Sequence, residues 1–323
     1  MNEYVKPKVL VSKCLGFESC RFNGGIISSD VVENLKSYVE FKPVCPEVEI
    51  GLGVPRKALR LVEKDGEARL IQTETEKNCT EDMKDYASNL FSELDEIDGA
   101  IMKNRSPSCG TNDVKLYPAL NKSGVLEKVP GIFGGAVVEE YPLKPVENEG
   151  RLRNFRIRED FYTALFALAR FRRNVFEEKS MKALTDFQAN NKFLIMTYDQ
   201  ETMREMGKIA ANREDEEVER VIEKYHELLT RALSESPSPG SHVNTLEHSF
   251  GYFSDELNSQ EKSLFKDYIE DYREGKAPLS TLISVVRSWV VRFDVDYLKD
   301  QRYFDPYPHG LVEISDSGKG RDL

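Results

Sequence analysis

The first 140 residues alternate short apolar runs with segments of helical periodicity, and this alternation limits the folds open to the chain. The predicted strands are 8–12, 41–45 and 99–104, and the predicted helices are 28–39, 80–97 and 131–141. Asp65-Gly66, between two further strand-like runs, predicts a hairpin. Strands that alternate with helices favour a mostly parallel sheet with helical crossovers. We therefore expect a Rossmann-like α/β domain in the N-terminal half.

The pattern changes near residue 150. Residues 140–150 are rich in Pro, Glu and Gly, which favours a linker. Beyond them apolar residues recur at helical spacing, which predicts an all-α domain. A length of 323 residues is typical of about two domains. We place an N-terminal domain at 1–145 and a helical domain at 146–323.

Composition narrows the functional classes. The N-terminal residues lack an apolar signal segment, and no run approaches the ~20 apolar residues of a membrane span. We therefore expect a cytoplasmic protein with no membrane partner. A net charge of −11 argues against a protein that coats nucleic acid nonspecifically. Any contact with RNA must then come from a local basic patch.

Cysteine placement is the strongest chemical signal. Five cysteines in a chain without an export signal argue against a disulfide framework. Cys14, Cys45 and Cys109 each stand at or just beyond the end of a predicted strand. Because the carboxyl ends of parallel strands open onto one crevice, we expect these thiols to converge. Cys20, six residues after Cys14, is a fourth candidate.

Converging thiols admit more than one interpretation. Structural zinc usually takes four protein ligands, and no histidine precedes His226. An iron–sulfur cluster held by three cysteines leaves one iron open to a substrate. The spacing of the cysteines also permits two further interpretations: a nucleophilic cysteine, or reduced cysteines packed in a core.

Three stretches around these cysteines resemble the signature stretches of the thiouracil desulfidases (TudS-like): VSKCLGFESCRFNGG, PVCPEVEIGLGVPR and KNRSPSCG. The resemblance implies a 4Fe-4S cluster bound by Cys14, Cys45 and Cys109, with Cys20 as the alternate ligand. GRLRNFRIREDF, FQANNKFLIM and YLKDQRYFDPYP resemble the helical domain of tRNA 4-thiouridine desulfidases (RudS-like). Together they imply a desulfidase that returns 4-thiouridine in tRNA to uridine.

The resemblance implies a hydrolytic, non-redox reaction at an open iron of the cluster. Attack by water needs a base, and our candidate is Glu47, two residues after a cysteine ligand. Charge balance with Arg56 is the alternative role for Glu47. By the same resemblance a serine of the SPSC turn assists, Ser106 first and Ser108 second. Hydrogen bonding within the turn is the alternative for both serines.

A basic stretch at 151–173 is the candidate tRNA contact. It holds seven arginines against Glu159 and Asp160. Arginine binds phosphates in bidentate fashion and stacks on exposed bases. A solvated helix face is the alternative, and we expect no obligate protein partner. The arginines are Arg151, Arg153, Arg156, Arg158, Arg170, Arg172 and Arg173.

Two other functions stay open. One is desulfuration of free thiouracil or another small thioamide, with the helical domain serving a different purpose. The other is a nucleic-acid-binding protein stapled by structural zinc at Cys14, Cys20, Cys45 and Cys109. Metal content separates the zinc protein from both desulfidases.

Overall fold

The computed structural model describes residues 4–121 and 124–313. Among these, the residues up to 169 and those from 308 onward form one compact unit, and 170–307 form a second. The strands are β1 Lys8–Ser12, β2 Glu40–Val44, β3 Leu59–Lys64, β4 Glu67–Gln72, β5 Gly99–Met102, β6 Val114–Tyr117, β7 Glu127–Val129 and β8 Val146–Asn148. The helices are α1 Asp30–Leu35, α2 Pro46–Glu49, α3 Thr80–Glu93, α4 Ile132–Glu140, α5 Phe155–Phe171, α6 Met181–Tyr198, α7 Gln200–Ala211, α8 Val218–Leu233, α9 Pro239–Gly251, α10 Ser259–Arg273, α11 Leu279–Phe293 and α12 Asp296–Lys299.

A four-stranded parallel sheet forms the centre of the first unit, in the order β2-β1-β5-β8. β1 lies inside this sheet, with Val9 opposite Phe41 of β2 and Gly99 of β5. Val9 and its neighbours Leu10 and Val11 are fully buried. Such continuous burial is expected of a parallel strand covered on both faces. The predicted α/β fold with helical crossovers is confirmed.

β8 differs from the sequence-based interpretation. Residues 146–148 lie within the predicted linker, yet they pair in parallel with β5, where Asn148 stands opposite Met102. The linker interpretation is therefore wrong for these residues. Their strand conformation depends on pairing with a distant segment, which local composition does not report.

A second sheet has the order β4-β3-β6-β7 and mixes both strand directions. The predicted hairpin is confirmed: β3 and β4 are antiparallel and joined by Asp65-Gly66. Both turn residues have positive φ, 55° and 81°, as a tight two-residue hairpin requires. The sequence did not predict β6 and β7.

The second unit contains only helices among its described elements, so the predicted all-α region is confirmed. Its core includes the fully buried side chains of Leu184, Met206, Tyr225 and Leu246. None of the helices within 4–121 and 124–313 combines the length and the apolarity that crossing a bilayer requires.

Candidate active site

A cavity of about 310 Å³ opens at the carboxyl ends of β2, β1 and β5. Cys14, Cys45 and Cys109 line this cavity, each reaching it from the end of a different strand. Cys20 lines it as well. The expected convergence of the thiols follows from the topology, because neighbouring parallel strands end at the same edge of the sheet.

Each of the three thiols is positioned by a different local backbone structure. Cys14 lies in the turn after β1 and is half-buried. Cys45 occupies the N-cap position of α2, directly after β2, and Pro46 starts that helix. The Cys45 thiol faces the carbonyl oxygen of Cys20 at 3.7 Å. Cys109 is buried in the turn that follows β5.

Helix α4 packs its first turn directly against the Cys109 turn. Gly131 N–H donates to the carbonyl of Gly110 at 2.8 Å, and Gly134 N–H donates to that of Ser108 at 2.8 Å. A Cβ at Gly131 would lie 2.7–2.8 Å from the backbone of Ser108 and Pro107. Only glycine permits this approach, so the GIFGG segment fixes the conformation of the turn.

Burial raises the pKa of three of the cavity thiols, those of Cys14, Cys20 and Cys109. Burial, reinforced by Cys45, raises the pKa of Cys14 to about 11, while Lys103 opposes the rise. Burial, with Cys45 again the next cause, raises the pKa of Cys20 to about 12. Burial and the neighbouring Cys14 raise the pKa of Cys109 well above its ordinary range. Thiolates here need a compensating positive charge, which a bound metal centre supplies.

The donor set fits an iron–sulfur cluster. All five cysteines are free thiols, and Cys79 lies in the hydrophobic core instead of the cavity. In residues 4–121 and 124–313, no three His, Cys, Asp or Glu side chains are grouped as ligands of a single metal ion. A cluster distributes its thiolates over separate irons, so its ligands need not meet at one point. Arg56 Nη2, 4.0 Å from Cys45 Sγ, adds positive charge beside the thiols.

Glu47 lies in the cavity wall and is fixed from both sides. Ser108 Oγ donates to its Oε1 at 2.8 Å. Arg56 donates to its Oε2 through Nε and Nη2, each at 2.6 Å. The side chain of Arg56 is only 3% exposed, and its Nη1 also donates to the carbonyl of Gly53 at 2.9 Å. The ion pair considered from the sequence is therefore present, and it orients a carboxylate that faces the thiols.

The two candidate serines have different surroundings. Ser106 lines the cavity, and its Oγ accepts from the N–H groups of Ser108 at 3.3 Å and Cys109 at 3.1 Å. The hydroxyl proton of Ser106 is therefore available to a ligand. Ser108 is fully buried and donates its proton to Glu47. Ser106 is placed to touch a substrate, whereas Ser108 acts through Glu47.

A lysine and a glutamate next to the cavity were not predicted as a pair. Lys103 Nζ contacts Glu149 Oε1, and Glu149 Oε2 accepts from the N–H of Asn104 at 2.7 Å. The N–H of Lys103 donates to Ser12 Oγ at 2.9 Å. Glu149 follows β8 directly. Because residues 140–150 were interpreted as a linker, the sequence did not predict that Glu149 lies beside the sheet. The network ties β1, β5 and β8 together where the cavity opens.

Three of the seven arginines in the predicted RNA-binding stretch are buried. Arg158 donates to the carbonyl of Leu152 at 3.0 Å, and Arg170 donates to that of Pro306 at 2.6 Å. Arg172 forms an ion pair with a nearby glutamate at 3.0 Å. These guanidinium groups serve the fold of their own units.

The other four arginines are exposed. Arg151 and Arg173 each form an ion pair with a glutamate four residues away. The guanidinium groups of Arg153 and Arg156 make no hydrogen bond or ion pair within the described part of the chain. Arg153 also lines a polar cavity of about 380 Å³ that shares Asn104 with the thiol cavity. Any role in RNA binding stays a prediction.

Two family models match separate parts of the chain. One, described as 2-thiouracil desulfurase, matches residues 9–149. The other, described as protein of unknown function (DUF1722), matches residues 192–308. The chain thus contains two separate stretches, each similar to a different family, as the resemblance implied.

Curated relatives and a solved structure also match. The uncharacterized protein YbbK of Bacillus subtilis is 32% identical over 149 residues, which cover 43% of this chain and 99% of YbbK. The uncharacterized protein YbgA of Escherichia coli is 25% identical over 155 residues, 48% of this chain and 91% of YbgA. The solved 4Fe-4S-dependent thiouracil desulfidase TudS is 24% identical, covering 46% of this chain and 93% of its own, with a TM-score of 0.36.

Proposed function

We propose that this chain, which belongs to the 2-thiouracil desulfurase family through residues 9–149, removes sulfur from thiolated uracil and acts on 4-thiouridine in tRNA. The observation that carries the proposal is the convergence of Cys14, Cys45 and Cys109 on one cavity inside the matched region. Soft sulfur donors on three strand ends are suited to a metal–sulfur centre that meets a substrate sulfur.

Cys14, Cys45 and Cys109 would hold a 4Fe-4S cluster, with Cys20 as the alternate to Cys14. When bound, the cluster supplies an iron without a protein ligand, which acts as a Lewis acid toward sulfur. Arg56 and Lys103 face the same cavity and offset negative charge there. The net reaction exchanges C=S for C=O: water provides the oxygen, sulfur leaves as sulfide, and nothing is oxidised or reduced.

Glu47 would act as the general base toward water. Its Oε2 is held by Arg56 and its Oε1 by Ser108, so the carboxylate is oriented before the substrate arrives. The Ser106 hydroxyl accepts hydrogen bonds from its own turn, so its proton would be donated to the thiolated uracil ring in the cavity. General-base catalysis by a positioned carboxylate contributes roughly 10²–10⁴-fold to a rate.

The preference for a nucleotide in tRNA is supported by the surroundings of the cavity. The adjoining polar cavity, reached past Asn104, offers Arg153 to a ribose-phosphate. Arg156, on the first turn of α5, is a second exposed cation in this unit. A base must leave its stack to enter a cavity at the end of a sheet, and a phosphate contact beside it helps to hold the displaced nucleotide.

The test is an anaerobic preparation of the full chain with iron, sulfide and zinc counted and an absorption spectrum recorded. We expect about four irons per chain and a broad visible band. The loaded protein is then given thiolated tRNA and free thiouracil in parallel. Turnover of tRNA supports the proposal, and turnover of the free base alone supports the small-molecule reading. A colourless zinc protein that resists reconstitution with iron and sulfide would overturn both desulfidase functions. It would favour an RNA-binding protein stabilised by structural zinc.

A further inference from the structure

We infer that the helical unit holds a second ligand site, an anion pocket formed by Arg170, Asn174, Asn190 and Arg302, which takes the phosphate group of a nucleotide. The site is a cavity of about 270 Å³ whose lining residues all lie within 170–307. It is independent of the thiol cavity, which belongs to the other unit. Neither the family descriptions nor the proposed desulfidase chemistry requires it.

The floor of the anion pocket is polar and buried. Arg170 and Asn191 line it and are 5% and 3% exposed. Arg170 Nη1 donates to the carbonyl of Pro306 at 2.6 Å, and Nη2 donates to Asn191 Oδ1 at 3.4 Å. Asn191 Nδ2 in turn donates to the carbonyl of Phe187 at 2.9 Å. These bonds fix a guanidinium group at the base of the cavity, so binding a ligand requires little reordering of the floor.

The walls supply uncommitted donors. The N–H of Arg302 donates to the carbonyl of Asn190 at 2.8 Å, which anchors its backbone. The half-buried Arg302 guanidinium and the amides of Asn174 and Asn190 make no hydrogen bond or ion pair with residues 4–121 or 124–313. Three side chains with unused N–H groups therefore face one small cavity.

Charge and donor chemistry select the ligand. Two guanidinium groups face a single carboxylate, that of the exposed Asp186, so the anion pocket is net positive. Guanidinium groups bind phosphate oxygens in bidentate fashion, and amide N–H groups add neutral donors. Asp186 repels a bare anion but accepts hydrogen bonds from hydroxyl groups. A phosphate attached to ribose satisfies both features, whereas the two guanidinium groups would repel a metal cation.

The experiment titrates the full chain with inorganic phosphate and with uridine 5′-monophosphate, followed by calorimetry. We expect both to bind, the nucleotide more tightly, and Arg302→Ala to weaken each by about tenfold or more. Arg302→Lys should recover part of the loss, and Asn190→Asp should weaken binding through its added negative charge. The matched control is Arg287→Ala, which removes an exposed arginine of the same unit outside the pocket.

A short uridine oligoribonucleotide distinguishes the source of the phosphate. If Arg302→Ala weakens the oligomer as well, the anion pocket takes phosphates of RNA; if it weakens only the mononucleotide, the pocket takes free nucleotides. Absence of phosphate and nucleotide binding, or equal binding by a folded Arg302→Ala variant, would overturn the inference. These titrations measure binding only and do not depend on desulfuration. The anion pocket can therefore be tested even if the chain shows no desulfidase activity.

Discussion

Two nitrogens of Arg56, Nε and Nη2, each lie 2.6 Å from the same carboxylate oxygen, Oε2 of Glu47. The other oxygen, Oε1, receives the hydroxyl of Ser108. Glu47 is thus held in one orientation by a cation on one side and a neutral donor on the other. This arrangement gives the candidate base a fixed direction toward the thiol cavity, and it makes the role of each partner separately testable.

Replacing the candidate base should stop turnover without removing the metal centre. We expect Glu47→Gln to lower kcat by about 10²–10⁴-fold while iron per chain stays at the wild-type value. Glu49→Gln is the matched control, because Glu49 is the exposed second glutamate of the same short helix. Steady-state kinetics with iron analysis make the measurement. Wild-type turnover by Glu47→Gln would contradict the assigned role.

Removing the arginine should cost both stability and activity. Arg56→Ala leaves the Glu47 carboxylate without its buried partner, which typically costs about 3–5 kcal/mol of unfolding free energy. Arg56→Lys keeps the charge but loses the bidentate geometry, so we expect a smaller loss of stability and a kcat about tenfold below wild type. Denaturant unfolding and kinetics measure the two effects. Wild-type stability and kcat in the lysine variant would contradict the role given to the two-nitrogen contact, and equal losses in the lysine and alanine variants would contradict the contribution given to the charge.

The cysteines should separate into ligands and bystanders. We expect serine at position 45 or 109 (Cys45→Ser, Cys109→Ser) to abolish cluster retention, because two thiolates cannot replace three. Cys79→Ser is the control, since that thiol lies in the core away from the cavity. Cys14→Ser and Cys20→Ser, compared by iron and sulfide content, decide which thiol completes the set. Full iron content in Cys45→Ser would contradict the assignment.

A methyl group at Gly134 should disturb the Cys109 turn. The added Cβ would overlap the carbonyl oxygens of Gly110 and Cys109. Overpacking of this kind typically costs about 1–3 kcal/mol, and the displaced turn should also lower iron retention in Gly134→Ala. Gly207→Ala is the control: it lies inside α7, its Cβ would make an ordinary 3.6 Å contact with Gln188, and it should gain about 0.5–1 kcal/mol. Thermal unfolding compares them, and a stable, iron-loaded Gly134→Ala would contradict the packing argument.

The helical unit should lose stability in acid through Asp199. Its carboxylate caps α7 by accepting from the N–H of Glu201 at 2.8 Å and from Thr202, and the Thr202 hydroxyl is the first cause that lowers its pKa. Because the folded pKa lies below the unfolded one, its contribution is present above the unfolded value near pH 4 and is lost as pH falls through the folded value.

We therefore expect Asp199→Ala to cost about 0.5–2 kcal/mol at neutral pH, with the difference from wild type shrinking below about pH 4. Chemical unfolding across the acid range measures this difference. Asp267→Asn, which changes an exposed carboxylate on α10, should follow the wild-type curve throughout. A difference between Asp199→Ala and wild type that does not vary with pH would contradict the charged cap.

The sequence by itself determined the parallel sheet, the Asp65-Gly66 hairpin and the placement of three cysteines at strand ends. These features are local: periodicity sets the element, two turn residues set the hairpin, and parallel strands in one sheet present their ends at a common edge. The convergence of Cys14, Cys45 and Cys109 could therefore be inferred from the sequence alone.

Only the tertiary structure decided which polar groups from distant parts of the chain meet. Glu149 contacts Lys103 because β8 joins the sheet beside β5, a long-range pairing that the Pro-rich and Glu-rich segment concealed. The arginines of 151–173 divide between core and solvent according to the face each occupies, which a count of charges does not specify. The anion pocket likewise depends on Arg302 reaching Asn190, more than a hundred residues earlier in the chain. Composition and spacing report local preference, whereas burial and pairing depend on distant segments of the folded chain.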